Sequence, residues 1–212
     1  MVAGLVAILW VSAFQSSVAG ADNFGSSTSQ NWDTCSNWWR PCADVTLTFE
    51  SNVLWSPQDL TPNVLAAFQW AASNNYNPTD MTWTQVGTGP LVDVYMYDND
   101  WGNNDAIGWH RCPLYAQSVG SDPARRCRGQ EVHMSMWYAT NGERPWLYPD
   151  GSVNWGRLVR TTTHEVGHSV GLKHSADTSS PMCAFDMSDP FICNWSAVWL
   201  TTHDVSHVNG NY

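Results

Sequence analysis

The chain is 212 residues long, carries a formal net charge of −10 and contains a single lysine, Lys173. Nucleic acid and anionic membrane surfaces both demand a basic patch, so neither is expected as a partner. Charged residues make up only 13% of the chain, so the acidity reflects missing lysine rather than an excess of carboxylates, and mainly implies solubility.

Residues Val2 to Phe14 form a mostly apolar run, followed by Gln15-Ser16-Ser17-Val18-Ala19-Gly20-Ala21. The run is well short of the ~20 residues that span a bilayer, and Ala19 and Ala21 suit a signal-peptidase site. We therefore expect a signal peptide over 1–21, a short segment over 22–44, and a mature protein that is secreted, extracellular and free of the membrane. An N-terminal anchor is the alternative, because neither Lys nor Arg precedes the apolar run. What remains is about 190 residues, one domain with enough volume for a core. A monomer is expected. The six cysteines fall as Cys35 and Cys42, Cys112 and Cys127, Cys183 and Cys193. Three local disulfides are the simplest of fifteen connectivities, and the absence of a C-x-x-C spacing disfavours a zinc cluster. Fourteen tryptophans, spread from Trp10 to Trp199, form no stripe that favours a sugar platform over core and cleft aromatics.

Val45-Thr46-Leu47-Thr48-Phe49 alternates as a half-buried strand should. Thr61-Pro62 reads as N-cap and first turn of a helix whose apolar positions Val64, Leu65 and Phe68 recur at helical spacing. Met81 to Val86, Leu91 to Tyr97 and Glu131 to Tyr138 are strand-like. Between them, Asp98-Asn99-Asp100-Trp101-Gly102-Asn103-Asn104-Asp105 concentrates oxygen donors; calcium is a candidate ligand, weighed against a solvated Asx-rich turn. Asn141-Gly142 and Pro149-Asp150-Gly151 punctuate the chain before a long helix that starts near Asn154. Strands, one helix, more strands and a second helix make an α+β order.

That second helix carries His164-Glu165-Val166-Gly167-His168-Ser169-Val170-Gly171-Leu172-Lys173-His174. At about 100° per residue, His164 and His168 stand one turn apart on one face, close enough to share an ion. Glu165 is offset by one step, beside the metal but outside its ligands. Gly171 can take the positive φ that ends the helix sharply and returns His174 to a third corner. Three protein ligands with an open fourth position are the catalytic arrangement of zinc, whereas a structural site is closed by a fourth side chain.

The pattern H-E-x-x-H-x-x-G-x-x-H resembles the metzincin metallopeptidase signature, which also requires a methionine in a tight turn beneath the metal. Ser179-Ser180-Pro181-Met182 supplies it at the matrixin-like separation, with Met182 as the Met-turn residue. Ser175 after the third histidine is also matrixin-like. Ala184, where astacin-like and serralysin-like members carry tyrosine, argues against an extra tyrosine ligand. The end of the chain, from Leu200, resembles the closing helix of matrixin domains, with Thr201 and Asp204 as its capping box. The resemblance runs from about Val45 to the C-terminus, a 45–212 catalytic domain. It implies a twisted mixed sheet with an antiparallel edge strand, three helices, and a cleft above a small C-terminal subdomain.

The resemblance further places Ala106-Ile107-Gly108-Trp109-His110 on the edge strand that holds extended substrate, so Ile107, Gly108 and Trp109 become candidate substrate contacts. Ala184 and Phe185 join them as walls of the pocket just past the scissile bond, although Cys183-Ala184-Phe185-Asp186 departs from the family's Pro-x-Tyr. His110 and His133 resemble two of four positions that hold a structural zinc in vertebrate relatives, but the loop histidine that completes such a site is absent between Val92 and Asp105. The implied activity is that of a zinc endopeptidase, hydrolysing peptide bonds through a zinc-activated water with Glu165 as general base. The rivals are a peptidase whose third ligand is a distant acidic residue, and a secreted zinc-containing binding protein without turnover. Arg40-Pro41-Cys42 is faintly similar to the cysteine switch of latent matrixins, yet only about twenty-odd residues lie between the expected cleavage near Ala21 and the first strand near Val45, too few for an inhibitory domain. A Cys35 to Cys42 bridge and an enzyme active as secreted are expected instead.

Overall fold

The structure, a computed structural model, describes residues 47–48, 51–100, 102, 107–111, 117–118, 126–141, 145–172, 174–175, 177–183, 193–210 and 212. The expected leader, the segment 22–44, Cys35, Cys42, Cys112, Ala184 and Phe185 lie outside these residues, as does the side chain of Cys127.

The main sheet has five strands in the order β3-β2-β4-β8-β5. They are β2 (Asn52–Gln58), β3 (Thr82–Gln85), β4 (Val94–Asn99), β5 (Gly108–Arg111) and β8 (Gln130–Ser135). All neighbours run parallel except β5, which is antiparallel to β8 and lies at the edge. A smaller sheet joins β1 (Leu47–Thr48), β7 (Arg126–Arg128) and β6 (Gln117–Ser118). Two long helices, α1 (Pro62–Ala71) and α3 (Trp155–Ser169), pack on each other; a one-turn helix α2 (Trp137–Thr140) precedes α3, and α4 (Thr202–Asn209) closes the chain. This is the expected α+β mixed sheet with an antiparallel edge.

Within the strand expected from Val45 to Phe49 the described residues Leu47–Thr48 form β1 of the small sheet, and the long early strand β2 was not among those read from the sequence. In the sheet, β3 pairs with Asn52 to Trp55 and β4 with Trp55 to Gln58, so Pro57 sits where one side of the ladder is open and its missing N–H is tolerated. The strand expected to reach Tyr138 instead ends at Ser135, because Met136 turns the chain into α2.

The core lies between the sheet and the α1/α3 pair. Val53, Val94, Met96, Val132 and Met134 from the sheet meet Val64, Phe68, Leu158 and Val166 from the helices, all fully buried. The helix α1 begins at Thr61-Pro62 as expected, but the orphan groups at its start are satisfied from outside: Asp98 Oδ2 accepts both the Thr61 N–H and its hydroxyl at 2.7 Å. Asp100 Oδ1 accepts the Gly102 N–H. The two described acids of the oxygen-rich loop are thus engaged in a helix start and an Asx turn, and calcium finds no support. Beyond α1 a π-helical turn, Ala72–Tyr76, brings two successive side chains onto α3. Asn75 Nδ2 donates to Thr163 Oγ1 and to the Val198 carbonyl, and Tyr76 Oη donates to the Thr163 carbonyl at 2.6 Å.

The α4 capping box forms as read from the sequence. Asp204 Oδ2 accepts from Thr201 N and Oγ1, and the same oxygen accepts the Ser180 hydroxyl at 2.8 Å. Ser180 Oγ in turn accepts the Met182 N–H. Replacing Asp204 with Ala is therefore expected to cost about 3 kcal/mol, a lost cap plus a buried hydroxyl without its acceptor. Denaturant unfolding measures it; a midpoint equal to wild type rules the linkage out.

Candidate metal centre

Helix α3 starts at Asn154, whose side chain accepts the Arg157 N–H, and it carries His164 and His168 one turn apart. Their Nε2 atoms stand 3.1 Å from each other. The helix ends in a Schellman turn: Gly171 takes φ +95°, its N–H bonds to the His168 carbonyl, and the Leu172 N–H bonds to the Gly167 carbonyl at 2.9 Å. A side chain at Gly171 would strain this conformation, and the reversal it creates returns His174 to the pair. One ligand atom from each of His164, His168 and His174 lies within 4.8 Å of the others. His168 is buried, His164 half-buried and His174 exposed, so the cluster opens to solvent on one side.

The turns that shape the site also set the tautomers. His164 Nδ1 donates to the Pro181 carbonyl and His168 Nδ1 donates to the Leu172 carbonyl, each at 2.8 Å. With Nδ1 carrying the proton, each Nε2 presents a lone pair inward. Burial first, and then the neighbouring imidazole charges, hold both rings well below the ordinary histidine range, so they stay neutral. Neutral imidazoles with inward lone pairs are what a borderline dication such as zinc requires, so the residues fit the ion.

Met182 is fully buried. Ser175 N–H bonds to the Met182 carbonyl, and Ser175 bridges Cys183, which ties the segment after His174 to the turn. Gly167 is what makes room: a Cβ there would clash with Met182 Sδ and lie 2.9 Å from its Cε and 3.1 Å from Tyr76 Oη. The Cys183–Cys193 bridge forms as expected, and Arg160 of α3 donates to the Cys183 carbonyl while stacking on Trp195 at 4.4 Å.

Glu165 packs against the edge strand and is not grouped with the three imidazoles as a ligand. A Cβ on Gly108 would lie 2.7 Å from Glu165 Cγ and 2.8 Å from its Oε1. The carboxyl is 6% exposed, and in the metal-free site burial, partly offset by the Arg160 charge, pushes it up to about 8. Of the other expected contacts, Gly108 and Trp109 belong to β5 and Ile107 precedes it, its carbonyl accepting the Ser135 N–H.

His110 and His133 do not form a shared site. In the β5/β8 register Trp109 faces His133 and His110 faces Val132, so the two rings emerge on opposite faces of the sheet. His133 is sandwiched between Tyr97 and Trp109, at 4.7 and 4.8 Å, and reaches Glu131 at 3.0 Å; His110 meets Gln130 Oε1 at 2.5 Å. Asn75, Tyr76, Gly167 and the Ser180–Asp204 link were not read from the sequence. Only Gly167, a glycine inside a helix, left a signal there.

An α+β domain in which α3 and the turn after it bring three neutral imidazoles together, with Glu165 of the same helix against the edge strand and a buried methionine against Gly167, defines a metallopeptidase centre of the metzincin kind. Residues 43–212 match the family model described as Matrixin, most of the chain, and the protein belongs to the matrixin family of zinc metallopeptidases. A comparison with curated proteins found none that matches.

Proposed function

We propose that the protein is a secreted zinc endopeptidase in which His164, His168 and His174 hold the ion, Glu165 is the general base and Met182 forms the floor. The observation that carries this reading is the convergence of His164, His168 and His174 on one point, with Glu165, adjacent in sequence to a ligand, lodged against Gly108 and not grouped with them. Zinc, when bound, supplies a Lewis acid that acidifies water and polarises a carbonyl. Glu165 then takes the proton from the attacking water and returns it to the leaving amine. Substrate lies extended along β5, the last strand of the sheet order, which has no second strand partner among the described residues. Ala184 and Phe185, which the resemblance assigns to the pocket past the scissile bond, lie in sequence between the two cysteines of the Cys183–Cys193 bridge. The leader-like 1–21 stretch supports export, and no described helix is long and apolar enough to cross a membrane.

The deciding experiment is hydrolysis of a denatured protein by the purified chain. Cleavage at internal bonds that stops with chelator and returns with zinc is expected; zinc binding with no cleavage of any denatured protein overturns the reading in favour of a non-catalytic zinc protein. Gly108 provides a finer check. Gly108→Ala drives a methyl into Glu165, and a displacement of about 1 Å at a catalytic group costs on the order of 10²-fold in rate. The expected result is a drop of that size in kcat with zinc content unchanged; wild-type kcat would remove Glu165 from the position assigned to it.

A further inference from the structure

Helix α4 carries a second histidine pair at the spacing of the first: His203 and His207 stand one turn apart, with their Nε2 atoms 3.1 Å from each other and ring centroids 4.4 Å apart. The pair on α3 shows the same 3.1 Å and centroids at 4.7 Å. Both α4 rings are half-buried, so each is reachable from solvent while its rotamer is partly held by packing. An ion 2.0–2.1 Å from each nitrogen at that separation makes an N–metal–N angle of about 98°, between the ~90° of a cis octahedral pair and the ~109° of a tetrahedron. Among the described residues no third His, Cys, Asp or Glu completes this pair as His174 completes the other. The remaining positions therefore go to water, and affinity falls below that of the three-histidine site.

We propose that His203 and His207 form a second, solvent-facing site for a late first-row divalent cation, Zn2+ or Cu2+, which take imidazole readily. Bridging positions i and i+4 staples α4 across a full turn and favours its folded form. Its effect does not stop at α4. Asp204, between the two histidines, accepts the Ser180 hydroxyl, and Ser180 accepts the Met182 N–H in the turn whose Pro181 carbonyl orients His164. An ion on α4 thus steadies the turn under the metal centre without touching it. The proposal is independent of whether the chain cleaves peptides.

Zn2+ itself is the probe, added by titration calorimetry to the zinc-loaded protein. A second, weaker equivalent is expected in wild type, with Tm rising by a few degrees as it fills. The double variant His203→Ala/His207→Ala should keep the first equivalent and lose both the second and the Tm rise. His203→Asn and His207→Asn, made singly as milder changes, should each do the same, since one imidazole cannot chelate. His174→Ala should disturb the first equivalent and retain the second. One equivalent in wild type, or a second that survives in the histidine variants, overturns the assignment; so does a variant that loses stability with metal stoichiometry unaltered, which would make the pair a purely structural contact.

Discussion

Glu165→Gln is expected to lower peptide hydrolysis by about 10²- to 10⁴-fold while the zinc content stays at one catalytic equivalent. Glutamine matches the shape of the side chain lodged against Gly108, and the three imidazoles are untouched, so the ion has no reason to leave. What is lost is an acceptor for the water's proton. The same substitution has a signature in the metal-free protein that reports the burial of the carboxyl. Burial pushes the Glu165 carboxyl from 4.5 up to about 8 in the absence of metal, so between those values the folded chain holds a proton that the unfolded chain has released. Stability of the metal-free wild type from this group is therefore present below about 4.5 and lost as pH rises through about 8. Glutamine does not titrate, and the variant should shed that alkaline loss. Bound zinc works in the opposite direction, since a dication nearby favours the carboxylate. Near wild-type turnover in a zinc-replete variant would sink the assigned role. An unchanged pH profile of metal-free stability would place Glu165 in a wetter setting than the edge strand provides.

The parts of this molecule legible in its sequence are those whose physics is local. His164, Glu165, His168 and His174 were readable because one helix turn and one Schellman reversal at Gly171 fix them within eleven residues. Thr201 and Asp204 were readable because a capping box spans four. Strand β2 was not read from the sequence, and the place of Pro57 within it depends on where a neighbouring strand stops. Trp137 and Tyr138 misled because their aromatic side chains favour strands, whereas the chain turns helical after Ser135. The face of His110 relative to His133 is a matter of register, and a one-residue difference decides it. Asn75 and Tyr76 meet Thr163 across 88 and 87 residues of chain, a contact that no spacing rule announces.

Gly167→Ala should both destabilise the fold and loosen the metal, against what helix propensity alone dictates. Inside a helix, alanine outranks glycine by about 1 kcal/mol, so on an open surface the change stabilises. Gly156, near the start of α3, is such a position: an added Cβ meets only Asn154 Oδ1, at 3.7 Å. At Gly167 the methyl has no room, being confronted by Met182 Sδ, by Met182 Cε at 2.9 Å and by Tyr76 Oη at 3.1 Å. Neither neighbour gives way cheaply. Met182 and Tyr76 are fully buried, and Tyr76 is pinned by its hydrogen bond to the Thr163 carbonyl. Overpacking of this kind costs about 1–3 kcal/mol, enough to exceed the propensity gain. The displaced residue is then Met182, whose preceding Pro181 offers the carbonyl that orients His164. Loss of such an orienting bond weakens metal binding by about 10- to 100-fold. Chelator competition and denaturant unfolding, run beside Gly156→Ala, separate the two terms. Gly156→Ala should match or exceed wild-type stability with zinc affinity unchanged, and Gly167→Ala should fall below it on both measures. If the two variants behave alike, Met182 does not rest against Gly167, and the link from the turn to the His164 ring has to be abandoned.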